Sequence, residues 1–329
     1  MLLRLIKNSN FFGIFLIPLA GFLFWMQSFQ SPGNFGFVTK ESTMPLSFIV
    51  LALFKGLVLW QVLAGFIIVL LNSLIIARIS SSFLLYKKGS ALPGIIYIIT
   101  VSSVRTLQIL HPVHIASLCI LIAISYIFDT YQKHAEIPYT FNASFFIAVA
   151  SLFYLPAALL FPLIWISIFV LQKSDNWRLL VVPILGFSVP WFFIWAVSFL
   201  NDTSNNILQI IKHILWSKNN AYLFDPVFLA KSALILLLII FGSISFLTDY
   251  QSIKISERKY LTIFYWMFGI IVMTALFLIM IGNEVVSLLM IPVAVIISYF
   301  FLPGRKYFWK ELFLIVYAGV MVAAYLLYG

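Results

Sequence analysis

From Asn142 to Lys173 the chain runs for about thirty residues without a single charge, NASFFIAVASLFYLPAALLFPLIWISIFVLQK, interrupted only by Pro156 and Pro162. A helix needs about 20 apolar residues to cross a bilayer, so this stretch exceeds one crossing. Two arrangements are compatible with it. A single long helix kinked at proline crosses once. Alternatively the prolines divide the stretch into two short helices that turn back, as a re-entrant element or hairpin over residues 143–172. This choice fixes which side of the membrane every later segment faces.

The same character extends along the chain. Hydrophobic residues make up 63% and charged residues 9%, against about 25% charged in an ordinary soluble domain. A soluble fold of this size has too little interior for that much apolar surface, whereas helices in a bilayer satisfy their own backbone. No alternating ten-residue pattern of a transmembrane barrel is present. The reading is an all-α polytopic transmembrane bundle with about 9–11 membrane segments, a single integral membrane domain over residues 1–329. The formal net charge of +10 comes from Lys and Arg in short links between apolar runs. That is the positive-inside pattern of a membrane protein, not a nucleic-acid surface. The lone cysteine, Cys119, permits no intrachain disulfide.

Taken in order, a first uncleaved span covers about 10–29, behind Arg4 and Lys7, which places the N-terminus in the cytoplasm. A second covers about 46–71 with Lys55 inside it. Residues 72–94, with Arg78, Lys87 and Lys88, read as an interfacial helix. Spans at about 92–110 and 115–131 meet at the turn His111-Pro112-Val113-His114. Beyond the proline-split stretch come spans at about 179–200, 227–247, 260–281, one ending near 302, and a last one ending at 329. Ile207, Ile210, Ile211, Ile214 and Leu215 give residues 205–220 the face of an amphipathic helix. Folding the 143–172 stretch back puts Lys254, Arg258, Lys259, Arg305, Lys306 and Lys310 on the same side as Arg4, Lys7, Arg78, Lys87, Lys88 and Lys133. The charge distribution favours that arrangement.

With the fold-back, the opposite side collects Glu41, His111, His114, Asp202, Asp225 and Glu284, with Arg105 just beneath. Carboxylates there serve as bases, and arginine and histidine hold a phosphate. Lys55 and Lys231 read as polar groups within membrane segments, where a centred charge costs about 2.5–3.5 kcal/mol on insertion scales. No metal site is predicted, since two histidines alone fall short of the three or four ligands zinc requires. No phosphate-binding glycine loop, dinucleotide fingerprint or nucleophile elbow occurs, and no cofactor is indicated.

The sequence from Asn72 to Lys173, with its NSLIIAR segment, its basic turn, its short paired spans meeting at His111-Pro112 and then NASFFIAVASLFYLPAALLFPLIW, resembles the membrane core of GT-C-type glycosyltransferases. The whole chain also resembles an uncharacterised family of Gram-negative inner-membrane proteins of about this length. The first resemblance implies a core over about 10–200 with additional spans over 227–328, and a polyprenyl-phosphate-linked sugar as donor. It assigns the catalytic base to Glu41, the only acid of the first outer loop. That loop is shorter here than in GT-C enzymes, and the soluble C-terminal domain of many such enzymes is not expected here. Three functions follow as expectations: binding or transfer of a lipid-linked sugar for envelope glycan assembly, transport or flipping, with Lys55 and Glu284 lining the path, and a non-catalytic membrane subunit of an envelope complex. Membrane lipids are the other expected partners.

Overall fold

A computed structural model describes residues 10–32, 44–83, 90–133, 136–171, 177–201, 207–212, 226–277, 284–301 and 307–327. Among these the chain is helical throughout, without strands. In chain order the helices are α1 (Asn10–Gln30), α2 (Pro45–Leu53), α3 (Val58–Phe83), α4 (Leu92–Ser102), α5 (Pro112–Lys133), α6 (Glu136–Phe153), α7 (Pro162–Leu171), α8 (Arg178–Leu200), α9 (Pro226–Asp249), α10 (Ile255–Phe277), α11 (Val285–Phe301) and α12 (Tyr307–Leu327). Short 3-10 helices occupy Arg105–Leu107 and Leu155–Leu160. Seven described helices are long and apolar enough to cross a membrane. The fold is a polytopic transmembrane helical bundle.

The proline-split stretch folds back. Helix α6 begins at Glu136, earlier than the uncharged run suggests, and closes with the Tyr154 N–H on Ala150 O, 2.9 Å. Tyr154 is extended, with φ −144° and ψ 102°, and Pro156, which has no N–H to continue the hydrogen-bond ladder of α6, falls in the first turn of the 3-10 helix that follows. Pro162 then starts α7 as its first residue, where a missing N–H costs no helical hydrogen bond. Leu171, at the end of α7, lines one small cavity with Thr130 of α5 and Thr140 of α6. Its carbonyl accepts a hydrogen bond from Lys259 Nζ at 3.1 Å, and that ammonium sits over the Tyr131 ring. The chain thus leaves at the level where it entered. Helix α6 is 18 residues long, about 27 Å at 1.5 Å per residue. The return through 155–171 has nearly the same length, with about 2 Å per residue in its 3-10 part. Each arm approaches the ~30 Å hydrocarbon thickness, so the stretch is a helical hairpin with two arms of matched length.

The packing defines two ends of the bundle. At one end Phe83, Phe128, Tyr131 and Tyr260 pack ring against ring, edge-on in three of the pairs and tilted between Phe128 and Tyr260. At the other lie Ser103, His111, His114 and Glu284. We call them the tyrosine end and the histidine end. Contacts fix the direction of every long segment. Trp191 Nε1 of α8 donates to Ser151 Oγ of α6, Phe246 of α9 packs on Tyr299 of α11, and Tyr325 of α12 donates to Gln27 of α1. The segments α1, α3, α4, α5, α6, 155–171, α8, α9, α10, α11 and α12 therefore alternate in direction. Helices α4 and α11 are buried on nearly all sides, as expected of central helices apolar all round. Helices α8, α9 and α12 expose large apolar side chains such as Phe192, Leu236 and Phe308.

Three expectations are corrected. The second span is not continuous from 46 to 71: the helix stops at Leu53, turns through Phe54–Gly56 with Gly56 at φ +81°, and restarts at Val58. No separate interfacial helix starts at Asn72; α3 runs on to Phe83 with Asn72, Ser73, Ile76 and Ala77 buried in the core. The 92–110 span is shorter than expected, because α4 ends at Ser102 and the connector to α5 bends through Arg105–Leu107. Of the amphipathic segment only residues 207–212 are described, and they are helical.

Candidate functional site

The connector 103–111 forms the floor of the histidine end. Its anchor is the buried Gln108, whose Nε2 donates to Ser102 O at 2.6 Å and Phe24 O at 3.1 Å. Ser28 of α1 closes the grip on the Gln108 carbonyl oxygen, and Trp25 Nε1 donates to Ser102 Oγ at 2.9 Å. A charge-free amide thus satisfies the Ser102 carbonyl freed where α4 unwinds, which an apolar residue would leave buried and unpaired, and ties the connector to α1.

On this floor stand the two histidines. The His111 Nδ1 accepts the Val113 backbone N–H at 3.3 Å. Its Nε2 is therefore the protonated nitrogen, and it faces Glu284 Oε1 at 3.2 Å. The imidazole is buried while the carboxylate is partly open. Glu284 immediately precedes α11, where a carboxylate is favoured by the positive end of the helix dipole.

His114 lies deeper, fully buried in the first turn of α5. Its Nε2 contacts Leu107 O at 2.8 Å. A carbonyl only accepts, so Nε2 carries the hydrogen and Nδ1 of the neutral ring is left to accept from Ser287 Oγ at 3.3 Å. Ser287 is the hub of a buried knot, with Tyr97 Oη and Ser117 Oγ each 3.2 Å away. Asn72 Nδ2 ties in α3 by donating to the His114 carbonyl at 2.9 Å. The knot joins α3, α4, α5 and α11.

Among the residues expected at the site, the structure pairs His111 with Glu284 and sets His114 below them, the two rings 6.3 Å apart. Arg105 is half-buried in the connector. Lys231 Nζ donates to Ser103 O at 3.0 Å, a cation at the carbonyl end of α4 in the position a helix C-terminus favours. Lys55 is not inside a helix: it is exposed in the turn between α2 and α3. Glu41, Asp202 and Asp225 lie outside the described residues. No cluster of three metal-ligating side chains occurs among the described residues.

Asn72, Tyr97, Ser117, Ser287 and Gln108 escaped sequence reading. A signal existed: Ser117 follows His114, and Ser287 follows Glu284, by one helical turn, which puts each pair on one helix face. Two atoms near this column, Asn72 Oδ1 and the hydroxyl of Tyr154 at the hairpin tip, are buried without a hydrogen-bond partner among the described residues. Comparison of the chain with protein-family models, with curated proteins and with solved structures finds no match.

Proposed function

We propose that this chain is a bacterial inner-membrane protein that binds, or transfers sugar from, a polyprenyl-phosphate carrier at its histidine end during envelope glycan assembly. Orientation follows from charge. Among the described residues Arg78, Lys133, Arg178, Lys254, Arg258, Lys259 and Lys310 lie toward the tyrosine end, and Lys55, Arg105, Lys212 and Lys231 toward the histidine end. Positive-inside bias puts the tyrosine end, and with it Asn10, in the cytoplasm. The single observation that carries the reading is the His111–Glu284 pair at the opposite end. It supplies a carboxylate oriented by a fixed N–H donor, with Arg105 in the adjoining connector as the phosphate-binding cation. In a transferase Glu41 takes the base role by the resemblance described above, and Glu284 is a second acid at the same end.

The test uses Glu284→Gln, Arg105→Ala and Glu41→Gln in cells, with envelope glycans profiled and polyprenyl-phosphate retention measured by native mass spectrometry. Loss of carrier retention in Arg105→Ala with normal protein levels supports the reading; normal glycans and undiminished retention in all three overturn it. Transport is the weaker alternative, since Lys55, the cation that motivates it, lies in a turn. A non-catalytic subunit is favoured by one observation, the closed knot around Ser287, in which the histidine is tied up in helix packing; copurification of a stoichiometric partner would support it.

A further inference from the structure

The corner formed by α2, the Phe54–Leu57 turn and the start of α3 combines features that no role has yet absorbed. Helix α2 has nine residues, about 13 Å at 1.5 Å per residue, and is too short to cross. It nevertheless exposes Phe48, Ile49 and Leu53, and the apolar surface continues through Leu57, Leu59 and Trp60. From Met44 to Gln61 the sequence MPLSFIVLALFKGLVLWQ contains one ionisable group, Lys55. Lys55 is exposed at the top of this surface. Beside it, a Cβ placed on Gly56 would meet nothing within 4 Å among the described residues.

The turn is held rather than loose. Gln61 Nε2 donates to Phe54 O at 2.6 Å, and the backbone closes Lys55 N–H onto Ala52 O and Leu57 N–H onto Phe54 O. Gly56 takes the left-handed backbone that other residues avoid. A backbone held in one conformation therefore carries an exposed lysine beside a run of exposed apolar side chains.

We propose that this corner is a binding site for one anionic phospholipid, whose phosphodiester sits on Lys55 and whose acyl chains lie along Phe48, Leu53, Leu57 and Trp60. The charge match selects this ligand. A phosphodiester of an anionic phospholipid carries one negative charge, equal to the single ammonium, whereas a phosphate monoester carries about −1.5 to −2 at neutral pH. The apolar wall requires a ligand with hydrocarbon chains, which inorganic phosphate lacks. A zwitterionic lipid brings its own cation and gains less from Lys55. This site is independent of the sugar-carrier reading and of the residues that reading uses.

The experiment is native mass spectrometry of the full chain, purified and exposed to equimolar phosphatidylglycerol and phosphatidylcholine in mixed micelles. The wild-type protein is expected to retain phosphatidylglycerol about five-fold or more over phosphatidylcholine, in the range of a single charge-assisted contact. Lys55→Gln is expected to reduce that preference to near unity, and Lys55→Arg to keep it. Equal retention of the two lipids by wild type, or an unchanged preference in Lys55→Gln, overturns the proposal. Displacement of phosphatidylglycerol by millimolar inorganic phosphate would identify a free-anion site and overturn it as well. The wild-type lipid preference is read without any variant, so a poorly folding Lys55→Gln protein leaves the test intact.

Discussion

Ser287 is the smallest residue on which several helices depend. Its hydroxyl touches His114, Tyr97 and Ser117, which come from two other helices. Ser287→Ala removes the group facing His114 Nδ1 and leaves that nitrogen and the Tyr97 hydroxyl to find other partners. Interhelical hydrogen bonds in membranes are worth about 0.6 kcal/mol on average and up to about 1.7. Since the serine serves three groups, Ser287→Ala should lie at the upper end of that range. Denaturation in mixed micelles measures it, with exposed Ser232→Ala as the silent control. The knot also shows why residue-level reading stopped at the histidines. A histidine or a carboxylate in an apolar run draws attention because its burial is expensive. A serine in such a run is common, and its partners, six and seven helices earlier in sequence, are invisible without the fold. Lys55 illustrates the reverse error: it was read as deep because the run around it is apolar, but glycine at the next position allows a turn that no hydropathy window detects.

At the scale of elements, glycines decide how closely the helices approach. A Cβ on Gly186 of α8 would fall 2.0 Å from Ser144 Oγ and 2.6 Å from Phe141 O of α6. Gly186→Ala should therefore push α8 off the hairpin and destabilise the protein by about 1–3 kcal/mol, the usual cost of overpacking. Ser144→Gly is not expected to rescue it fully, because the Phe141 carbonyl remains in place. Gly269 of α10 is the counterexample, since a Cβ there meets nothing within 4 Å. Gly269→Ala should stabilise by about 0.5–1 kcal/mol, the difference between the two residues in a helix interior. Thermal unfolding of the two variants side by side reads the opposite signs. The elements themselves were largely legible. Apolar runs located the long helices, and prolines located the break between α6 and α7. Their ends were less so: α6 and α10 both start several residues early, with Glu136 and Glu257 in their first turns. A carboxylate at that position suits the helix dipole, even though it looks like loop to a hydropathy scale.

For the whole molecule, the hairpin determines sidedness. Gln251 and Arg178 lie at the tyrosine end and Lys55 and Thr106 at the histidine end, and all four are exposed. Cysteines introduced singly at these positions should react with a membrane-impermeant maleimide in two classes. Gln251→Cys and Arg178→Cys should be protected in intact cells and labelled after permeabilisation, and Lys55→Cys and Thr106→Cys labelled in intact cells. Native Cys119 is buried in the core, so it contributes little background. Labelling of Arg178→Cys together with Lys55→Cys in intact cells would contradict the hairpin. The charge distribution along the sequence favoured the fold-back without deciding it: basic clusters on both flanks of the 143–172 stretch share a side only if it turns back, but a proline-kinked single span was also open to the sequence. What the sequence could not supply was the site's membership. Glu41, Asp202 and Asp225 fall outside the described residues, and the groups that surround His114 are uncharged.

The turn at Tyr154 has a bearing on how such a chain can change. Because its two arms run in opposite directions and return the chain to the level where it entered, residues 136–171 form an even unit. Gaining, losing or exchanging that unit as a block would leave every downstream helix pointing as before, while a change to one arm alone would invert the remaining half of the protein.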